Sequence, residues 1–140
     1  MALRASVIIP TYNRRVILKK ALLALAQNTA PFDAYEVVII DDGSTDGTEE
    51  MIKHLEVPYK IVFGKQQRGG PARARNHAIN LAEGEIMIFI DSDIVVVPEF
   101  IQAHLDAHIK GGRVAVGQVV HTNDLDNPDS ASLKITDLSN

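Results

Sequence analysis

The chain has 140 residues, of which 46% are hydrophobic and 23% charged, an ordinary balance for one globular domain. It contains no cysteine, which excludes a disulfide framework and a thiolate metal site and is compatible with a reducing compartment. The net charge of −4 gives no electrostatic reason to expect nucleic acid as a partner.

No stretch of the sequence stays apolar for long enough to form a signal-peptide core or to cross a bilayer. The longest candidate, residues 86–97, is interrupted by Asp91 and Asp93. We therefore expect a cytoplasmic domain without a membrane span. A further part of a longer protein could bring this domain to the cytoplasmic face of a membrane.

Short runs of β-branched residues alternate with segments whose apolar residues have helical spacing. Strands are predicted at residues 6–10 (ended by Pro10), 36–40, 59–63, 86–90 and 113–121, and helices at residues 16–27, 45–55, 71–82 and 98–109. The alternation predicts an α/β fold, a Rossmann-like and mainly parallel sheet flanked by helices. From Thr122 onward the sequence becomes polar, so residues 1–121 are predicted to form the domain and residues 122–140 a polar tail or linker.

Two of the predicted strands end in paired carboxylates, Asp41 and Asp42 after the second strand and Asp91 and Asp93 after the fourth. Parallel α/β sheets bind their ligands outside the carboxyl ends of the strands. Acids at this edge can supply the hard oxygen ligands that magnesium or manganese shares with substrate phosphates. The alternative for Asp91 and Asp93 is a turn in which the acids cap the next helix.

The acids after the second strand begin a turn, Asp-Asp-Gly-Ser-Thr-Asp-Gly, at residues 41–47. Ser44 or Thr45 is available as the cap of the following helix. Since a cap needs only one oxygen, either Asp41 or Asp42 remains to read a ribose or a base edge, a common role for an acid at this position of a Rossmann sheet.

A third candidate, residues 65–76, combines two glycines with a helix start and several cations, including Arg73 and Arg75. Backbone N–H groups at a helix start favour anions. The sequence contains neither a dinucleotide fingerprint after the first strand nor a Walker loop here, and a solvated helix start is an equally simple interpretation. Tyr12, at the end of the first strand, has a ring that can stack on a base.

In their order along the chain, these motifs resemble the family-two glycosyltransferases with the GT-A fold. The matching blocks are residues 6–13, 38–46, 74–76, 82–85 and 89–93, and the resemblance extends from residue 6 to about residue 120. It implies transfer of a sugar from a nucleoside-diphosphate donor, expected to be a UDP-sugar, to a hydroxyl of a saccharide, lipid or other acceptor. Inversion at the anomeric carbon is the family expectation.

The resemblance also implies roles for nucleotide-binding residues. Pro10 and Tyr12 would line the base pocket, and Asp42 would accept a hydrogen bond from the base edge. Arg73 and Arg75 lie in the segment that the family places near the nucleotide.

Two further roles follow for the acids after the fourth strand. Asp91 would approach the ribose or the sugar, and Asp93 would coordinate the manganese or magnesium ion that bridges the diphosphate. The family's catalytic base, an Asp or Glu, comes from a later segment, and the acids of residues 122–140 match no such motif. The base is therefore unknown, and we expect this chain to bind the donor without efficient transfer.

Two other classes of protein remain as alternatives. A nucleotidyltransferase would carry a glycine-rich loop after its first strand, where residues 10–15 contain no glycine. A non-enzymatic receiver-like module would carry a phosphoacceptor Asp after its third strand, where residues 63–65 are Phe-Gly-Lys. Both absences favour the glycosyltransferase.

Overall fold

The structure is a computed structural model that describes residues 3–109, 111, 114–119 and 135–137. Its strands are β1 (Ala5–Thr11), β2 (Tyr35–Asp41), β3 (Lys60–Lys65), β4 (Ile86–Phe89), β5 (Ala115–Gly117) and β6 (Ile135–Asp137). Its helices are α1 (Arg15–Leu25), α2 (Thr48–His54), α3 (Pro71–Leu81) and α4 (Phe100–Ala107), with a 3₁₀ turn at Phe32–Ala34.

The first four strands form a parallel sheet in the order β3–β2–β1–β4, which confirms the predicted α/β fold. The chain moves outward from β1 to β2 and β3 and then crosses back to β4, so the strand order reverses between β1 and β4. Strands β1 and β2 are buried along their whole length. Burial on both faces explains why their sequences are apolar without alternation.

Helices cover both faces of this sheet. On one face, α1, α2 and α4 pack against the strands through residues such as Leu18, Leu22, Ile52 and Ile101. On the other face, small side chains, Ala74 and Ala78, let α3 approach β1 and β2 closely. The sequence therefore builds a three-layer domain whose strand ends stay open at one edge.

The prediction that Pro10 ends the first strand was wrong, because β1 continues to Thr11. Ile8 accepts a backbone hydrogen bond from Ile90, so alternate residues of β1, including Pro10, present their backbone to the β4 side. The pairing of β1 with β4 ends at Ile8. The missing N–H of Pro10 therefore removes no bond from the ladder.

The second helix begins at Thr48 rather than at residue 45, so the predicted cap by Ser44 or Thr45 was wrong. Asp46 accepts a hydrogen bond from the Thr48 N–H at 3.2 Å, and Gly47 has a φ of +86°. The chain can enter the helix only after this left-handed residue.

Instead of capping α2, Ser44 and Thr45 join two loops. The Asn13 N–H donates to Ser44 Oγ at 2.8 Å, and the Thr45 N–H donates to Asn13 Oδ1 at 2.8 Å. The loops after β1 and β2 are thereby fixed to each other.

The fifth strand of the structure differs most from the strand predicted for it. Of residues 113–121, only Ala115–Gly117 form a strand in the described part, and this β5 pairs antiparallel with β6 outside the four-stranded sheet.

Most of residues 122–140 lies outside the described residues, so the boundary at 121 stays a prediction. Among the helices of the described part, none has the length and apolarity that a bilayer crossing requires.

A buried polar cluster closes the amino edge of the sheet. Ser6 Oγ donates to Glu36 Oε1 at 2.7 Å and accepts from the Gly84 N–H at 2.8 Å, and the Glu83 N–H donates to the same Glu36 oxygen at 2.7 Å. Glu36 is fully buried. The block of residues 82–85 therefore joins the connection before β4 to β1 and β2. This is a structural role at the edge of the sheet opposite the carboxyl ends of the strands.

Candidate active site

The carboxyl ends of β1–β4 all lie at one edge of the sheet, because the strands are parallel. The residues that follow them, 12–14, 42–47, 66–70 and 90–99, form the loops of this edge. All of the predicted site residues except Pro10, which is on β1, and the two arginines of α3 lie in these loops. This edge is therefore the candidate site.

Asp42 fixes the loop that follows β3. Its Oδ1 accepts from Gln66 Nε2 at 2.9 Å and from the Gly69 N–H at 2.8 Å, and its Oδ2 accepts from the Gly70 N–H at 3.0 Å. The residue is 5% exposed. Since a carboxylate oxygen can accept two hydrogen bonds, Oδ2 can accept one more.

The same contacts set the charge of Asp42. Burial acts to raise the pKa of its carboxyl group, but hydrogen bonds from Gln66, Gly69 and Gly70 and the positive charge of Arg68 outweigh it and lower the pKa. Asp42 is therefore ionised at neutral pH. An ionised carboxylate is the stronger acceptor for an N–H donor.

Tyr12 forms an aromatic surface at the end of the neighbouring strand, β1. The ring is half-buried, and the Arg68 guanidinium lies over it, 3.6 Å from the ring centroid. Pro10 is buried in β1, two residues before Tyr12. The ends of β1 and β2 thus present a flat ring and an ionised acceptor, and the loop after β3 adds a cation; these are groups that bind a planar heterocycle.

Asp41, by contrast, has a turn role. Its Oδ1 accepts from the Ser44 N–H at 2.9 Å, while its Oδ2 is buried without a hydrogen-bond partner. Of these two acids, Asp42 is therefore the one that binds the loop after β3.

Each acid after β4 forms an ion pair with an arginine from another element. Asp91 Oδ1 lies 2.7 Å from the Arg75 guanidinium, and Asp93 Oδ2 lies 2.9 Å from that of Arg14. The side chains of Asp91 and Asp93 are 64% and 43% exposed, whereas Ser92 between them is buried. Since α4 begins only at Phe100, neither carboxylate lies at a helix start.

These two carboxylates suit a divalent ion that takes most of its ligands from elsewhere. Within the described residues, no group of three or more His, Cys, Asp or Glu side chains is close enough together to hold a metal. Asp91 and Asp93 provide exposed, hard oxygen donors on one loop. That donor set fits magnesium or manganese, which retain waters and bind through one or two carboxylates plus substrate phosphates.

No individual role was predicted from the sequence for two residues of this edge. Arg14 pairs with Asp93, and Gln66 links Asp42 to His77, whose Nδ1 lies 3.2 Å from Gln66 Oε1. Their positions just after β1 and β3 were the only signal in the sequence. Arg73, which was predicted, is exposed on the first turn of α3, and its side chain passes beside Gly69.

A family model described as glycosyl transferase family 2 matches residues 6–138. The chain therefore belongs to glycosyl transferase family 2. The match confirms the resemblance and extends it beyond residue 120, where the resemblance predicted from the sequence ends.

Individual relatives agree with this assignment. Validoxylamine A glucosyltransferase of Streptomyces hygroscopicus subsp. jinggangensis is 38% identical over 105 residues, which are 74% of this chain and 25% of the relative. The structure of S. aureus TarS in complex with UDP-GlcNAc has a TM-score of 0.74 and 30% identity, over 81% of this chain and 33% of that one.

A mannosyltransferase, PcManGT from Pyrobaculum calidifontis in complex with GDP-Man and Mn²⁺, has a TM-score of 0.72 and 29% identity, over 91% of this chain and 38% of that one. The sheet and its flanking helices therefore have the GT-A fold. The chain spans about a quarter of the length of the curated relatives it matches first.

Proposed function

We propose that this chain binds the donor of a glycosyltransferase, a nucleoside-diphosphate sugar, and does so together with a divalent metal ion. The observation that carries the proposal is the convergence of Tyr12, Asp42, Asp91 and Asp93 at the carboxyl edge of the sheet, in a member of this family. The expected reaction is transfer of the sugar to an acceptor hydroxyl with inversion. The proposal assigns no catalytic base to the chain.

The nucleobase of the donor would bind at the ends of β1 and β2. Tyr12 offers its ring for stacking, with Arg68 already over one face, and Pro10 supports the strand beneath it. Asp42 Oδ2 would accept from a ring N–H of the base, as uracil N3 provides. The UDP-GlcNAc complex of TarS supports a UDP-sugar, whereas the GDP-Man complex of PcManGT supports a base that also has a ring N–H.

Asp93 would hold the metal ion, manganese or magnesium, and Asp91 would contact the ribose or the sugar. When bound, the ion stabilises the negative charge that develops on the departing diphosphate. Arg75 keeps Asp91 in place at 2.7 Å, and the exposed Arg73 adds positive charge beside the glycine loop. The name of TarS, a poly(ribitol-phosphate) beta-N-acetylglucosaminyltransferase, supports a polymer that carries hydroxyl groups as one kind of acceptor.

The metal site is tested by the substitution Asp93→Asn. We expect it to abolish the manganese-dependent part of UDP binding and to leave the metal-free part, because an amide is a poor ligand for a hard cation. Isothermal titration of UDP with and without Mn²⁺ measures both parts. Asp106→Asn, which neutralises an exposed acid on α4, is the matched control. Unchanged manganese dependence in Asp93→Asn, with normal binding by the control, would contradict the assignment.

The alternative of a nucleotidyltransferase makes a different prediction. Such an enzyme binds a nucleoside triphosphate and a sugar phosphate. In the same titration, preference for UTP over UDP-sugar would favour it, and preference for UDP-sugar would favour the glycosyltransferase.

A further inference from the structure

The ion pair between Arg14 and Asp93 spans the point where the strand order reverses. Arg14 follows β1 and Asp93 follows β4, and these neighbouring strands are reached by chain segments that run in opposite directions across the sheet. In open α/β sheets the crevice at such a reversal is where ligands bind. The pair therefore lies across the expected place of the donor, at 2.9 Å between Arg14 and Asp93 Oδ2.

The pair is easily broken. The side chains of Arg14 and Asp93 are 50% and 43% exposed, and solvent screens an ion pair this open. A divalent ion with two charges competes strongly for the same oxygen. Only Oδ2 of Asp93 is engaged by Arg14, so the ion can first bind the other oxygen.

Arg14 also lies at the positive end of a helix. It is the residue that precedes α1, Arg15 is the first residue of that helix, and the first turn contains no acid. Cations are disfavoured at a helix N-terminus. Acids from two other loops offset the positive charge at this helix start. Asp93 pairs with the Arg14 side chain, and Asp46 accepts a hydrogen bond from the Arg15 N–H at 2.9 Å. An Arg14 side chain released from Asp93 would therefore be available to another anion at this helix start.

We propose that Arg14 exchanges partners during donor binding: it pairs with Asp93 in the metal-free chain and moves to the diphosphate when a divalent ion takes Asp93. The guanidinium suits both partners, because its fork of N–H donors matches carboxylate and phosphate oxygens. The inference rests on the proposed function, in which Asp93 binds the ion.

The substitution Arg14→Ala tests both steps of this exchange, one through Mn²⁺ binding and the other through UDP binding. Without nucleotide, the variant should bind Mn²⁺ about threefold more tightly, because Asp93 has lost its competing cation. With Mn²⁺ present, it should bind UDP about tenfold more weakly, because the diphosphate has lost a charge-assisted contact. Effects of opposite sign from one substitution are the signature of a partner exchange.

The measurements are free Mn²⁺ by electron paramagnetic resonance and UDP affinity by isothermal titration. Lys19→Ala is the matched control, since it removes an exposed cation from the same helix and should change neither value. Arg14→Lys keeps the charge but not the fork of donors, and should recover part of the UDP affinity. In an Asp93→Asn background, Arg14→Ala should no longer change Mn²⁺ binding.

Two failures have different meanings. If the unaltered chain binds UDP with Mn²⁺ and Arg14→Ala changes neither affinity, or changes both in the same direction, the exchange is refuted and the proposed function stands. If the unaltered chain shows no manganese-dependent UDP binding, the proposed function is refuted and the exchange with it.

Discussion

Substitution of Asp42 by Ala is expected to weaken UDP binding by about tenfold or more, the largest loss that we expect from a single side chain of the base pocket. Two causes act together. The base loses its acceptor, and the loop of residues 66–70 loses the three hydrogen bonds that hold it, from Gln66, Gly69 and Gly70. Because Arg68 belongs to this loop, the cation over Tyr12 loses its position as well.

Asp42→Asn tests the charge with little change in shape. One amide oxygen can still accept from the loop, but the NH₂ group cannot accept from either the Gly70 N–H or the base. We expect a loss of UDP affinity close to that of the alanine variant. Asp41→Asn is the comparison variant. Since Asp41 holds the turn after β2, this substitution should affect the stability of the fold more than the affinity for UDP. Isothermal titration with UDP ranks the variants, and UDP affinity in Asp42→Asn equal to that of the unaltered chain would show that Asp42 does not read the base.

The lowered pKa of Asp42 adds a dependence on pH. A carboxyl group whose pKa is lower in the folded chain stabilises the fold at pH values above its unfolded pKa, and this stabilisation is lost as the pH falls through the folded value. The contribution of Asp42 to UDP affinity should therefore be constant near neutrality and should be lost only below the ordinary pKa range of a carboxyl group.

The four parallel strands were predictable because burial on both faces leaves a strong local pattern. Val37–Ile40 are apolar throughout, and polar residues follow each strand end, so the sequence already predicted a candidate site at one edge. The GT-A fold needed the resemblance as well, since many folds share this alternation.

The contacts within the site were not predictable, because they join residues that are far apart in sequence. Arg14 reaches Asp93 across 79 positions and Arg75 reaches Asp91 across 16, and no local periodicity records either pair. The start of α2 was missed for another reason. Asp46 and Gly47 compete with Ser44 and Thr45 as helix-start signals, and the choice depends on Asn13 from the loop after β1.

Gly84→Ala is expected to be the most damaging single change to the fold. A Cβ at this position would lie 2.5 Å from the carbonyl carbon of Ala5 and 2.6 Å from the backbone nitrogen of Ser6. Both atoms belong to the backbone of β1, which is paired with strands on both sides and cannot move aside locally.

The same methyl group would lie 2.7 Å from Ser6 Oγ, the atom that accepts from the Gly84 N–H and donates to Glu36. Relief of the clash would therefore break the Ser6–Glu36 hydrogen bond and leave the buried carboxylate poorly paired. The expected cost is about 3 kcal/mol of the free energy of unfolding, which lowers Tm by about 10 °C in a domain of this size.

Gly69→Ala is the control for this prediction. A Cβ at Gly69 would meet the flexible Arg73 side chain, which can turn into solvent, so the free energy of unfolding should change little. Urea denaturation followed by circular dichroism measures both variants. Equal stabilities for Gly84→Ala and Gly69→Ala would mean that β1 and the connection before β4 do not pack this closely. If Gly84→Ala is instead strongly destabilised while Ser6→Ala is only mildly so, the backbone contact outweighs the hydrogen bonds at the amino edge of the sheet.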